Sequence, residues 1–173
     1  MKKKLTVKEI LESKGKKKLT QVYVHTPLEA NACEKSGIDM VVSSENNNFK
    51  FLRENALNTF FTVGLQYGRY LSEYEIIKKS FQLLEMGADA IYCPQSARFI
   101  KAIANEGIPV VGHTGFIPYK LTQYGGFKAF GKNLKEVKKI LKEIYILQDS
   151  GAFATEIEIV PEEIVEIIYK ETD

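Results

Sequence analysis

Four times in this chain a glycine stands between the end of an amphipathic stretch and the start of a short apolar run. The sites are Ser36-Gly37-Ile38-Asp39, Met86-Gly87-Ala88-Asp89, Glu106-Gly107-Ile108-Pro109 and Ser150-Gly151-Ala152-Phe153. Glycine takes the left-handed backbone conformation that ends a helix, so the repeat marks helix-to-strand turns. The runs around it predict six strand–helix units. Strands are expected at Leu19–Val24, Asp39–Ser43, Phe60–Val63, Ala90–Cys93, from Pro109 onward, and Phe153–Val160. Helices are expected at Leu28–Ser36, Ser72–Met86, Ser96–Asn105, Leu134–Gln148 and Glu162–Tyr169, with a small amphipathic segment at Leu5–Leu11. Ser72-Glu73-Tyr74-Glu75 has the form of a capping box. Leu134, Val137, Ile140, Leu141, Ile144 and Leu147 share one helical face.

Strands this apolar predict a parallel sheet covered on both faces. No G-x-G-x-x-G fingerprint or P-loop is present, and the recurrent small-residue turn suits a TIM-like (β/α) barrel better than a dinucleotide-binding sheet. Eight units take about 250 residues. The 173 residues here hold six, which predicts an incomplete barrel forming a single domain over 1–173.

Net charge is +2, too small a surplus to coat a nucleic acid. It is concentrated in a Lys-rich segment, 1–18, with runs at Lys2-Lys3-Lys4 and Lys16-Lys17-Lys18. Such a start could touch phosphate or anionic lipid, or form a solvated face. No apolar region of a secretory signal follows it, and no run approaches the ~18 apolar residues of a membrane span. Cys33 and Cys93 match no metal spacing, so a cytoplasmic protein with no membrane or nucleic-acid partner is expected.

In a barrel, functional groups lie at the C-terminal ends of strands, and both histidines fall there. His113, in Gly112-His113-Thr114-Gly115, is a candidate donor to a substrate oxygen or an imidazole bonded to loop backbone; His25 carries no assigned role. Glu158 alternates with Glu156, so a carboxylate faces the barrel interior, as a working group or in an ion pair. Glu45, among Asn46, Asn47 and Asn48, suits a hard cation or a polar substrate, or an ordinary turn. Cys93 beside Pro94 reads as a buried apolar residue. Tyr124-Gly125-Gly126-Phe127-Lys128 is a candidate lid or a surface loop.

Three segments together resemble ketopantoate hydroxymethyltransferases: Gly112-His113-Thr114-Gly115, Gln123-Tyr124-Gly125-Gly126-Phe127-Lys128-Ala129-Phe130-Gly131, and Gly151-Ala152-Phe153-Ala154 through Glu158-Ile159-Val160-Pro161. Thr6-Val7-Lys8-Glu9-Ile10-Leu11 and Ser36-Gly37-Ile38-Asp39-Met40 fit the same family in the same order. The resemblance implies a barrel of the phosphoenolpyruvate mutase and isocitrate lyase superfamily. It implies hydroxymethyl transfer from methylenetetrahydrofolate to 2-oxoisovalerate in pantothenate biosynthesis, with Mg²⁺ chelating the α-keto acid. It places the base at Glu158 and the substrate-site histidine at His113, with Ser44, Asn46 and Tyr92 at substrate positions and Glu45 at a metal position. The chain departs from the family pattern where Ser44-Glu45-Asn46 replaces Gly-Asp-Ser. Gly64 replaces a metal-site Asp, and Tyr92 and Pro94 replace a Lys and a Glu.

Three functions are compatible with this pattern. One is a transferase acting on a small α-keto acid. Another is an inactive paralogue serving as a subunit or binding module. The third is a C–C or P–C bond lyase of the same superfamily. An unclosed sheet also predicts a homo-oligomer, or a second chain that closes the barrel.

Overall fold

The computed structural model describes residues 3–46 and 48–172, so Lys2 and Asn47 of the motifs above lie outside it. After helix α1 (Val7–Glu12), six strands alternate with six helices: β1 (Gln21–Tyr23), α2 (Pro27–Ser36), β2 (Met40–Ser44), α3 (Phe49–Glu54), β3 (Phe60–Gly64), α4 (Glu73–Glu85), β4 (Ala90–Tyr92), α5 (Ala97–Asn105), β5 (Val110–Gly115), α6 (Leu134–Asp149), β6 (Ala154–Glu158) and α7 (Glu162–Glu171). The strands pair in parallel in chain order, β1 to β6. The sheet curls, so Tyr23 on the first strand and Glu158 on the last line one cleft. This is the expected TIM-like barrel with six units.

The pairing register sorts side chains onto two faces. Ser44 pairs with Gly64, Gly64 with Tyr92, Tyr92 with Val111 and Val111 with Ala154; His113 pairs with Glu156 and Gly115 with Glu158. Those residues share the concave face, because side chains in strands alternate with period two. The opposite face meets the helices. There Val41, Phe61, Val63, Ile91 and Val110 pack with Leu52, Ile76, Leu83, Ile100 and Ile103, all essentially inaccessible to water. Each such side chain contributes about 1.5–3 kcal/mol by leaving water. A smaller cluster, Phe116, Phe130, Ile140, Ile144 and Ile168, lies beneath the segment that joins β5 to α6.

Local chemistry starts the helices where expected. Ser72 accepts from the Glu75 N–H while the Glu75 carboxylate accepts from the Ser72 N–H, a complete capping box; Thr6 with Glu9 and Thr26 with Glu29 form two more. The lysine-rich start is partly engaged: Lys4 pairs with Asp89 and Lys17 with Asp39. Lys14 lies over the Tyr169 ring, joining the beginning of the chain to α7.

Several expectations change. Leu134, placed on the buried face of α6, is 69% exposed, whereas Ile140, Ile144 and Leu147 of that face are buried. The segment between Asn46 and Thr59 contains an unforeseen helix, α3, whose N-cap Asn48 makes no side-chain capping bond. The last strand stops at Glu158 instead of Val160, since Ile159 turns into the left-handed region (φ 52°). The expectation of strands covered on both faces fails at β1, which is exposed throughout.

Candidate active site

Along the concave face the register brings three chemically active side chains into line. Tyr92 ends β4, His113 lies within β5, and Glu158 ends β6. The Tyr92 hydroxyl is 2.6 Å from Nδ1 of His113, and Nε2 of the same ring is 3.1 Å from the Glu158 carboxylate. Burial, with the Glu156 carboxylate hydrogen-bonded to it and Glu158 nearby, pushes the Tyr92 phenol well above its ordinary range, so it stays protonated. Nε2 is fully buried and faces the Glu158 carboxylate across that 3.1 Å contact.

Burial raises the Glu158 carboxyl above the usual carboxylate range; His113 opposes this and the like charge of Glu156 adds to it. A raised carboxyl is a better proton acceptor near neutrality. Its backbone is also constrained. Gly115 (φ 85°) lies so close that a Cβ there would come 2.3 Å from the Glu158 carbonyl oxygen, which accepts from the Phe116 N–H at 2.8 Å. Glycine at 115 thus allows β5 and β6 to approach where Glu158 is set.

These groups open into a cleft of about 440 Å³ at the C-terminal ends of the strands. Its walls mix the apolar Val42, Leu65, Ile117 and Pro118 with Glu156 and Glu158. Ser44 lines it too, with its Oγ 2.6 Å from the Tyr23 hydroxyl. Tyr119, stacked on Tyr67 with ring centroids 4.7 Å apart, stands at the mouth. Sequence reasoning left Tyr23, Tyr67 and Tyr119 unassigned; the period-two alternation of β1 was the available signal for Tyr23 only.

The remaining candidates lie elsewhere. Asn46 is exposed, and its side-chain oxygen accepts from the Asn48 N–H in a local turn. Glu45 follows Ser44 and so falls on the helix-facing side, 2% exposed. One of its oxygens accepts from the Gln66 N–H at 2.9 Å; the other is bonded by the Tyr70 hydroxyl and lies 3.5 Å from the Lys79 ammonium. Cys93 is fully buried and its thiol is pushed up to about 12 by that burial, leaving no thiolate near neutrality. His25 is exposed against Tyr23, outside the cleft. The 124–128 segment folds back so that Phe127 and Tyr124 both meet Phe116.

A divalent cation of the kind the family resemblance implies does not fit the donors present. Mg²⁺ sites rest on carboxylates and waters. Here Glu45 is turned away and satisfied, and Gly64 offers no ligand. Among the described residues no three His, Cys, Asp or Glu side chains converge to hold a metal. No helix in those residues is long and apolar enough to cross a membrane.

The profile of the family described as ketopantoate hydroxymethyltransferase matches residues 47–173. The chain is similar to the 3-methyl-2-oxobutanoate hydroxymethyltransferase of Kosmotoga olearia, with 29% identity over 97% of this chain and 72% of that protein. The enzymes of that name from Pyrococcus furiosus (28% identity, 96% of this chain, 68% of theirs) and Thermosipho africanus (30%, 95% and 71%) are comparable. Among solved structures, the carboxyl transferase domain of Rhizobium etli pyruvate carboxylase aligns with a TM-score of 0.59 at 12% identity, covering 84% of this chain and 27% of that one. The same domain with pyruvate gives the same score and identity. At that identity the likeness establishes the barrel fold alone.

Proposed function

This chain belongs to the ketopantoate hydroxymethyltransferase family, and on that premise we propose that its cleft enolises a small α-keto acid for hydroxymethyl transfer. The relatives' name gives the acceptor, 3-methyl-2-oxobutanoate. Glu158 takes the proton from the carbon next to the carbonyl. A ring N–H of His113 donates to the oxygen on which negative charge develops, and Tyr92, bonded to Nδ1, holds the ring in place. The enolate carbon then bonds to the methylene carbon of the one-carbon donor as the bonds from that carbon to the donor's nitrogens are broken; water supplies the hydroxyl oxygen, and the donor's amine leaves with the protons. On this reading methylenetetrahydrofolate is the donor, the product serves pantothenate synthesis and the setting is the cytoplasm. No step is assigned to a divalent cation.

The observation that carries the reading is the line Tyr92–His113–Glu158 facing one cleft. Exchange of the C3 proton of 3-methyl-2-oxobutanoate in D₂O, followed by NMR, tests it. Exchange no faster than with a Glu158→Gln variant would sink the proposal.

A second reading, an inactive subunit or binding module, is favoured by one observation: the carboxylate of Glu45 is turned from the cleft and satisfied. Calorimetry separates the two, since a pure scaffold binds no keto acid. We also propose that the outer edges of β1 and β6, which pair with no strand among the described residues, are closed by a second copy or a second polypeptide. Sedimentation as a soluble monomer at micromolar concentration would contradict this.

A further inference from the structure

The two carboxylates of the cleft, Glu156 and Glu158, both belong to β6, and among the described residues no lysine or arginine lines it. The opposite side is polar without charge. Gln21 and Tyr23 of β1, Ser44 at the end of β2 and Gln66 just beyond β3 line it, whereas alternation turns the Ser43 side chain to the helices. Between the two sides the register places Gly64, paired with Ser44 on one hand and Tyr92 on the other.

The donors on the uncharged side can be counted. The Tyr23 hydroxyl oxygen accepts from the Ser44 N–H at 2.9 Å and lies 2.6 Å from Ser44 Oγ. Two hydroxyls that share one hydrogen bond use one of their two protons, so the pair keeps one O–H for a ligand whichever oxygen donates. His25 packs on the Tyr23 ring, with centroids 4.6 Å apart. The Gln66 side-chain oxygen accepts from Arg69 Nη1 at 3.1 Å, which leaves the amide NH₂ as a donor strengthened by the guanidinium charge behind it. Hydroxyl and amide donors of this kind form strong bonds to a carboxylate. Against β6 the same group would meet like charge.

We infer that Tyr23, Ser44 and Gln66 bind the carboxylate of the keto acid, which turns its carbonyl and branched carbon toward His113 and Glu158. The inference rests on the keto-acid reading proposed above and adds the residues that select the acid and set its direction in the cleft.

The test measures binding to the full chain by saturation-transfer NMR titration, in EDTA, for 3-methyl-2-oxobutanoate and for 3-methylbutan-2-one, in which a methyl group replaces the carboxylate. Two proteins are compared with the native one: the double variant Tyr23→Phe with Ser44→Ala, and Gln66→Leu. The native protein is expected to prefer the keto acid by about tenfold or more. Each variant is expected to lose about fivefold or more of keto-acid affinity and to hold the ketone within about twofold of native. No native preference for the acid, an unchanged acid affinity in either variant, or an equal fall for acid and ketone would overturn the inference, as would binding of neither compound. Exchange at C3, read in the same samples, separates this inference from the reading beneath it. Its absence in a native protein with the expected binding pattern counts against enolisation and leaves the carboxylate site standing. Native exchange together with unaltered variant affinities does the reverse.

Discussion

The Tyr92 hydroxyl and Nδ1 of His113 form a hydrogen bond of 2.6 Å, and that contact sets the orientation of the imidazole in the cleft. A neutral imidazole has one donor and one acceptor nitrogen, so a partner at Nδ1 determines the role of Nε2. Tyr92→Phe removes the hydroxyl partner of Nδ1 and frees the ring to reorient. The expected outcome is C3 exchange slowed by about 10-fold to 100-fold, with ligand affinity within about threefold of the native protein. A drop in affinity with an unchanged exchange rate for the bound ligand would place Tyr92 in substrate binding instead of ring positioning.

Glu158 links the same site to stability. Burial raises its carboxyl in the folded protein above the unfolded value of about 4.3. The folded state therefore binds more protons than the unfolded chain over that interval, and stability falls as pH rises through the raised value. Glu158→Gln cannot ionise and escapes this loss. The variant is expected to melt higher than the native protein at pH 8, and the gain should shrink toward zero below pH 4, by scanning calorimetry. Catalysis moves the other way, with exchange reduced by about 100-fold or more. A variant less stable than native at pH 8 would show that the His113–Glu158 contact outweighs the burial.

The fold was legible because buried parallel strands leave short apolar runs, and glycines mark their starts. The site was legible in part, for a reason that lies in register. Glu158 ends β6 and His113 lies two residues before the end of β5, near the strand ends where barrel chemistry gathers. Their line with Tyr92 depends on β4 pairing Tyr92 with Val111, and one sequence does not specify that offset. Glu45 shows the opposite case: alternation from Ser44 turns it to the helix side, but only once β2 is known to continue to Ser44. Helix α3 escaped notice because Phe49-Lys50-Phe51-Leu52 follows an asparagine run and lacks a side-chain cap.

Two glycines with similar φ should respond differently to alanine. Gly37 (φ 78°) ends α2 with nothing within 4 Å of the place a Cβ would take, so Gly37→Ala bears only the left-handed strain, about 1 kcal/mol. Gly115 (φ 85°) adds the 2.3 Å collision with the Glu158 carbonyl oxygen, which backbone movement must relieve. Gly115→Ala is expected to cost about 3 kcal/mol or more in urea denaturation, and the folded fraction should lose C3 exchange because Glu158 is displaced. Equal costs at the two positions would show that β5 and β6 separate easily.

Arg53, at the end of α3, fastens that helix beneath the sheet. Its side chain is only 9% exposed, donating at 2.9 Å to the Thr59 carbonyl and at 3.2 Å to Asp89, and it bonds the Leu57 carbonyl as well. Asp89 in turn accepts from the Phe61 N–H at 2.9 Å, at the start of β3. Arg53→Ala leaves two carbonyls and part of a carboxylate without this donor, a loss of about 3–5 kcal/mol. Arg53→Lys keeps the charge without the planar fork and should recover only part of it. A double-mutant cycle with Asp89→Asn, read by chemical denaturation, is expected to give a coupling above about 1 kcal/mol. Additive costs would mean that Arg53 acts through the carbonyls alone, and that Lys4 suffices for Asp89.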